Sequence, residues 1–215
     1  MKLKSIALGW IAVALLAAPA WGGPLATHPG AYFDGTTTWH GSTDFVDGIS
    51  GTLEGSVDWA VFGPGDFPGD FGGYVPTPGE LVYAYQINVT GSSILSSLSI
   101  AIDAGQPVNN IGSFTGGGVS GTATTAAFFS PVVTPDTAVY QFAGIGTGES
   151  SVGLAFSSSH VPMEFFGSVI NGGVGAFVDP LPSPSPTPIP EPSTVMLAVC
   201  GMFAVVGWNI RKRLR

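Results

Sequence analysis

Between Ser5 and Ile210 the chain contains neither lysine nor arginine. Lys2, Lys4, Arg211, Lys212, Arg213 and Arg215 are all six of its basic residues, and the fourteen acidic ones all fall inside that interval. The missing cations exclude whole classes of chemistry. There is no lysine for a Schiff base, no ammonium to clamp a phosphate and no lysine–carboxylate pair. A strongly anionic surface also repels nucleic acid and anionic lipid headgroups, since phosphate contacts depend on Lys and Arg, so nucleic-acid binding is excluded. Cysteine is scarce as well. Cys200 is the only one, so no intramolecular disulfide can form and the fold is held by its core. Helical periodicity is absent outside the two apolar ends.

What is present begins with those ends. Lys2 and Lys4 form a short basic start, Ile6 to Ala18 an apolar segment, and Ala18-Pro19-Ala20 a small-residue cleavage pattern. This order predicts a secretory signal peptide over residues 1–20, cut after Ala20, with a cut after Gly22 through Ala20-Trp21-Gly22 as the alternative. At the other end, Pro190-Glu191-Pro192 precedes an apolar run from Val195 to Ile210 and then Arg211-Lys212-Arg213-Leu214-Arg215. Sixteen residues at ~1.5 Å each make ~24 Å of helix, slightly under the ~30 Å of a bilayer core. Snorkelling arginines make up the difference. A membrane helix with its basic tail is therefore expected over 193–215, with the positive end cytoplasmic and everything before Val195 outside. Cys200 lies within this run as a small apolar residue.

The tail, with its Pro-Glu-Pro box, single short span and arginine-rich end, resembles the PEP-CTERM sorting signal of bacterial surface proteins. Tails of this kind are also labelled as the C-terminal domain of ice-binding proteins. The N-terminal pattern predicts export through the inner membrane with removal of the leader by signal peptidase, and the resemblance of the tail implies transient membrane anchoring. It also implies processing by an exosortase near Pro190, Glu191 and Pro192, and release to the cell surface or medium in association with exopolysaccharide. Ice binding itself requires flat Thr-x-Thr ranks, and Thr36-Thr37-Thr38 with Thr122-Ala123-Thr124 do not make one.

Between these addresses, residues 21–179 have the length of one domain. Leu81, Tyr83, Tyr85, Ile87 and Val89 alternate with Val82, Ala84, Gln86, Asn88 and Thr90, which predicts a strand with one buried face. Shorter alternations centre on Val57-Trp59-Val61, Leu98-Ile100-Ile102, Ala138-Tyr140-Phe142 and Val152-Leu154-Phe156, with Val174 to Val178 as a closing strand. Turn signals such as Asp34-Gly35, Gly63-Pro64-Gly65, Pro78-Gly79 and Gly116-Gly117-Gly118 fall between them. The expected class is all-β, an antiparallel sandwich or jelly roll. The segment from Gly55 to Gly65, followed by the strand from Leu81, also looks like the N-terminal part of many PEP-CTERM ectodomains. From Pro180 to Pro192 every second residue is proline, which predicts a polyproline II stalk over 180–192, up to ~40 Å long at ~3.1 Å per residue.

Candidate chemistry is thin. His28, His40 and His160 stand apart, in no zinc-ligand spacing, and no G-x-S-x-G elbow occurs. Asp34, Asp44, Asp47, Asp66 and Asp70 cluster in the Gly-rich first third, the composition of a loop-built calcium site, though they match no EF-hand. Calcium is the one cofactor that this composition suggests. Glu54, Asp58 and Glu80 are the carboxylates available to a glycosidase. Trp39, Trp59, Phe67, Phe71 and Tyr74 are either core or a sugar-stacking surface, with Phe67 and Phe71 the expected exposed pair. These features lead to the expectation of a non-enzymatic surface or matrix protein, structural or adhesive, in contact with exopolysaccharide. A calcium- or carbohydrate-binding module is the alternative and a secreted glycosidase the third reading.

Overall fold

A computed structural model describes residues 23–103, 106–129 and 136–188. Within them the chain is all-β: β1 (His40–Val46), β2 (Glu54–Phe62), β3 (Leu81–Val89), β4 (Leu95–Ile102), β5 (Asn109–Phe114), β6 (Thr124–Phe129), β7 (Asp136–Ile145), β8 (Gly153–Ser158), β9 (His160–Ile170) and β10 (Gly175–Pro188). They form two five-stranded antiparallel sheets, in the orders β1-β2-β3-β8-β5 and β10-β9-β4-β7-β6. No helix among the described residues is long and apolar enough to cross a membrane. The apolar runs at both ends of the chain, and the signal-peptide and sorting residues they carry, lie outside the described residues.

Alternation places the core between the sheets. Leu81, Tyr83, Tyr85, Ile87 and Val89 from β3 meet Leu98, Ile100 and Ile102 from β4, with Tyr140, Leu154, Phe156 and Val169 joining the same cluster. The strands expected around Val57, Leu81, Leu98, Ala138 and Val152 all form with the anticipated residues inward. Two tyrosines tie the sheets across this core: Tyr83 donates to the carbonyl of His160 at 2.8 Å, and Tyr85 to that of Pro182 at 2.5 Å. Burial pushes both phenols well above their ordinary range.

The sequence pattern predicts one buried face for β3, and the structure buries both. Val82 and Ala84 belong to a second apolar cluster with Leu25, Ala60, Phe62, Phe71, Tyr74 and Phe114. Loop segments cover that outer face.

The end of the domain also differs from the expectation. The closing strand runs through Pro188 rather than stopping near Val178, so residues 180–188 are part of the sheet and no free stalk begins at Pro180. Leu181 pairs with Phe165, Pro182 with Glu164, Ser183 with Met163 and Pro184 with Pro162, after a register shift that follows Val178. Leu181 and Ser183 are buried. Alternating proline is compatible with this because β10 is an edge strand. A residue's N–H and C=O point to the same side of a strand. The carbonyl of Pro180 accepts from Thr43 Oγ1 and that of Pro182 from Tyr85, both on the opposite sheet. The absent N–H groups therefore fall on the side away from β9, where a ladder does not need them.

If β10 is structural to its end, Leu181→Ala leaves a core cavity and lowers unfolding free energy by about 2–5 kcal/mol. A stalk residue would change it by no more than about 0.5 kcal/mol. Denaturant titration of the two proteins separates the outcomes.

Candidate functional site

The outer face of the first sheet is divided along its length, and the division sets up the site. Its apolar half, with Ala60, Phe62, Val82, Ala84 and Ala155, is roofed by an aromatic group. Phe71 stacks on Phe114 at 4.8 Å, and Phe67 meets Phe62, Phe71, Phe114 and Tyr74 edge-on. This roof corrects the expectation that Phe67 and Phe71 are exposed: Phe71 is buried and Phe67 is packed against the cluster. Gly117 makes the fit possible, because it sits at φ +58° with a Cβ position that the Phe71 ring already fills. Trp39 and Trp59 are held as well, by Nε1 hydrogen bonds to Asp34 Oδ2 and Thr43 Oγ1. None of the five aromatic candidates forms an open stacking platform.

The other half of the face is polar. Register pairs Asp58 with Gln86 and Ser56 with Asn88 across β2 and β3. Asp58 is fully buried. Its Oδ2 accepts from Asn88 Nδ2 at 2.8 Å and from the backbone N–H of Gly23 at 2.6 Å, while Oδ1 has no partner. Ser150 Oγ donates to Asn88 Oδ1. Gln86 Nε2 donates to the carbonyls of Ser120 and Ser151, and Ser151 Oγ accepts from the N–H of Ile87. Beside this network opens a depression of about 550 Å³, lined among others by Ser56, Asn88, Thr90, Thr147, Glu149 and Ser150. Its hydrogen-bonding groups are hydroxyls, amides and one carboxylate. Glu149 is partly committed already, since its Oε2 accepts from the N–H of Gly146.

The remaining expected residues are dispersed. Asp34 accepts from the N–H groups of Thr36 and Thr37 as well as from Trp39. Asp47 organises the β1–β2 turn: the N–H groups of Ile49, Ser50, Gly51 and Leu53 and the Ser50 hydroxyl all converge on its carboxylate. Asp44, Asp66 and Asp70 are exposed and lie elsewhere. Among the described residues no three His, Cys, Asp or Glu side chains converge as a metal site. Asp34 and Asp47 are turn-builders, because an Asx carboxylate satisfies the N–H groups of a tight loop, whereas Asp44 lies within β1. His40 and His160 each contact a backbone carbonyl, Ala26 and Ser185, through Nδ1. His28 packs edge-on against Phe62 at 5.0 Å. Glu80 Oε1 accepts from Asn109. Of the three glycosidase carboxylates, only Asp58 is in the polar network, and it does not pair with either of the others there. The network's other members, Gln86, Asn88, Ser150 and Ser151, were not anticipated. Their signal was the polar outer positions of β2 and β3, and only the strand register brings those together.

Asp47 and His28 are among the groups that make stability depend on pH. Hydrogen bonds from Leu53 and Ser50 hold the Asp47 carboxyl well below its ordinary 3.8, so its stabilisation is fully present above that value and is lost progressively as pH falls below it toward the lowered folded value. Burial holds His28 below its ordinary 6.5, opposed by the nearby Asp70 charge, so proton uptake below that value favours the unfolded chain. Asp47→Ala is expected to lower the melting temperature by several degrees at pH 7, and the gap to wild type should close as pH drops below about 4. A gap that stays constant across that range contradicts the role given to the carboxylate. Comparison with protein-family models, with curated proteins and with solved structures returns no match for this chain.

Proposed function

We propose that the chain is an exported bacterial surface or matrix protein of the PEP-CTERM kind, with a single β-sandwich ectodomain whose work is structural or adhesive. One observation carries the reading. A signal-peptide pattern and a Pro-Glu-Pro box with an apolar run and basic end bracket an ectodomain without lysine or arginine, and every basic residue sits in the two bracketing segments. The last described strand ends at Pro188, two residues before Pro190 of Pro190-Glu191-Pro192. A domain that closes at the sorting box is suited to be carried by it.

In this reading signal peptidase releases the N-terminus, the span from Val195 to Ile210 holds the chain in the membrane, and an exosortase-type enzyme cuts near the box. The protein is that enzyme's substrate. Outside the cell, an anionic domain rich in neutral hydroxyl and amide groups suits contact with a hydrated polysaccharide matrix.

The expected outcome in the native cells is an intact mass ending near Pro190 to Pro192, with the protein leaving the membrane fraction. Replacing Pro190, Glu191 and Pro192 with alanine should retain Arg215 and keep the chain in the membrane. A wild-type protein that keeps Arg215 and stays membrane-bound contradicts the sorting reading and leaves a plain anchor.

A further inference from the structure

Asp58 presents an unsolved electrostatic problem. It is fully buried, its Oδ1 lies in the interior without a partner, and residues 23–188 contain no lysine or arginine to neutralise it. A buried carboxylate is costly when its charge has no counter-ion and one of its oxygens no donor, even though the other oxygen is hydrogen-bonded. The group aimed at it from 2.6 Å is the backbone nitrogen of Gly23.

We propose that the signal peptide is removed after Gly22, and that the α-ammonium this creates on Gly23 docks on Asp58 as an ion pair that completes the fold. The inference rests on the export reading above and adds to it a processing site and a partner for the new terminus. Hydrolysis of the Gly22–Gly23 bond takes up one water, leaving a carboxylate on Gly22 and an amine on Gly23 that is protonated at neutral pH. An amide nitrogen offers Asp58 one hydrogen and no charge. An ammonium offers three hydrogens and a full positive charge, enough to serve Oδ1 as well as Oδ2. Ala20-Trp21-Gly22 supplies small residues at the positions a signal peptidase reads.

The local structure is shaped to hold that terminus. A Cβ on residue 23 would lie 2.5 Å from Asp58 Oδ2, so only glycine lets the nitrogen approach so closely. Pro24 is seated against Gly118, whose own Cβ would be 2.9 Å from the proline ring. Leu25 is fully buried in the outer cluster, and the N–H of Ala26 closes a turn on the carbonyl of Gly23 at 3.1 Å. Asn88 Nδ2 fixes the carboxylate from the other side.

The absence of lysine gives a direct test. Full-length protein is expressed in an exporting bacterium and purified, and its intact mass fixes the first residue. The folded protein is then treated with an acetylating reagent, denatured and cut at glutamate. In the fragment ending at Glu54 the α-amine is the sole primary amine. The expected result is a chain that starts at Gly23, with an amine acetylated at least tenfold more slowly when native than in denaturant. Asp58→Asn should restore rapid labelling, and if that variant does not fold, the native-versus-denatured comparison on wild type decides. A chain starting at Trp21 overturns this inference while leaving the export reading intact, and a chain retaining Met1 overturns both. A start at Gly23 with an amine as reactive in the native state as in denaturant, or equally protected in folded Asp58→Asn, removes the ion pair.

Discussion

Strand β3 is buried on both faces, and each face needs its own cover. Its inner side chains, from Leu81 to Val89, fill the space between the sheets, and the tyrosines among them reach the opposite sheet with their hydroxyls. Its outer side chains are covered by chain that has no regular structure of its own. Glycine-rich loops can do this because they carry rings at intervals: Phe67, Phe71 and Tyr74 before β3, Phe114 at the end of β5. In a protein without disulfides, this double use of one strand adds buried apolar surface that a single inter-sheet layer does not provide.

The same face then changes character within one strand. Val82 and Ala84 lie under the aromatic roof, whereas Gln86 and Asn88 bind carbonyls, a hydroxyl and a carboxylate. The transition matters because buried polar groups specify partners where apolar ones tolerate many arrangements. Gln86 draws in Ser120 and Ser151, and Asp58 draws in Gly23. These side chains determine where the N-terminal segment and the turn after β7 lie, and so they shape the depression beside Ser150.

Much of the inter-sheet core was legible because period-two alternation is a local signal. β2, β3, β4, β7 and β8 each announced their inward residues. β1, β5, β6 and β9 did not: His40–Val46 and Asn109–Phe114 bury few apolar side chains and take their place from neighbours distant in sequence. β9 hides its pattern differently, with Gly167 facing inward where a Cβ would strike Leu181 and the Ser99 carbonyl. Alternating proline was misleading for a physical reason. The same spacing suits a free polyproline II segment and an edge strand, and only the partner decides between them. The aspartates were visible as turn residues, but no spacing rule shows that five backbone and side-chain donors close on Asp47. The polar network around Asp58 depends on register across β2 and β3, which the sequence does not state.

Export and fold meet at the two ends of the described domain. At one end Gly23 points into the sheet, and at the other β10 carries the chain along its edge to Pro188. The central claim is that β3, covered twice, and β10, paired to its end, belong to one cooperative unit. Native-state hydrogen exchange resolved by peptide tests it most directly. The amides of Val82 to Val89 should be among the slowest, and those of Leu181 and Ser183 should be protected along with the rest of the second sheet. Exchange of residues 181–185 at the rate of unstructured chain, beside a protected β3, would contradict it.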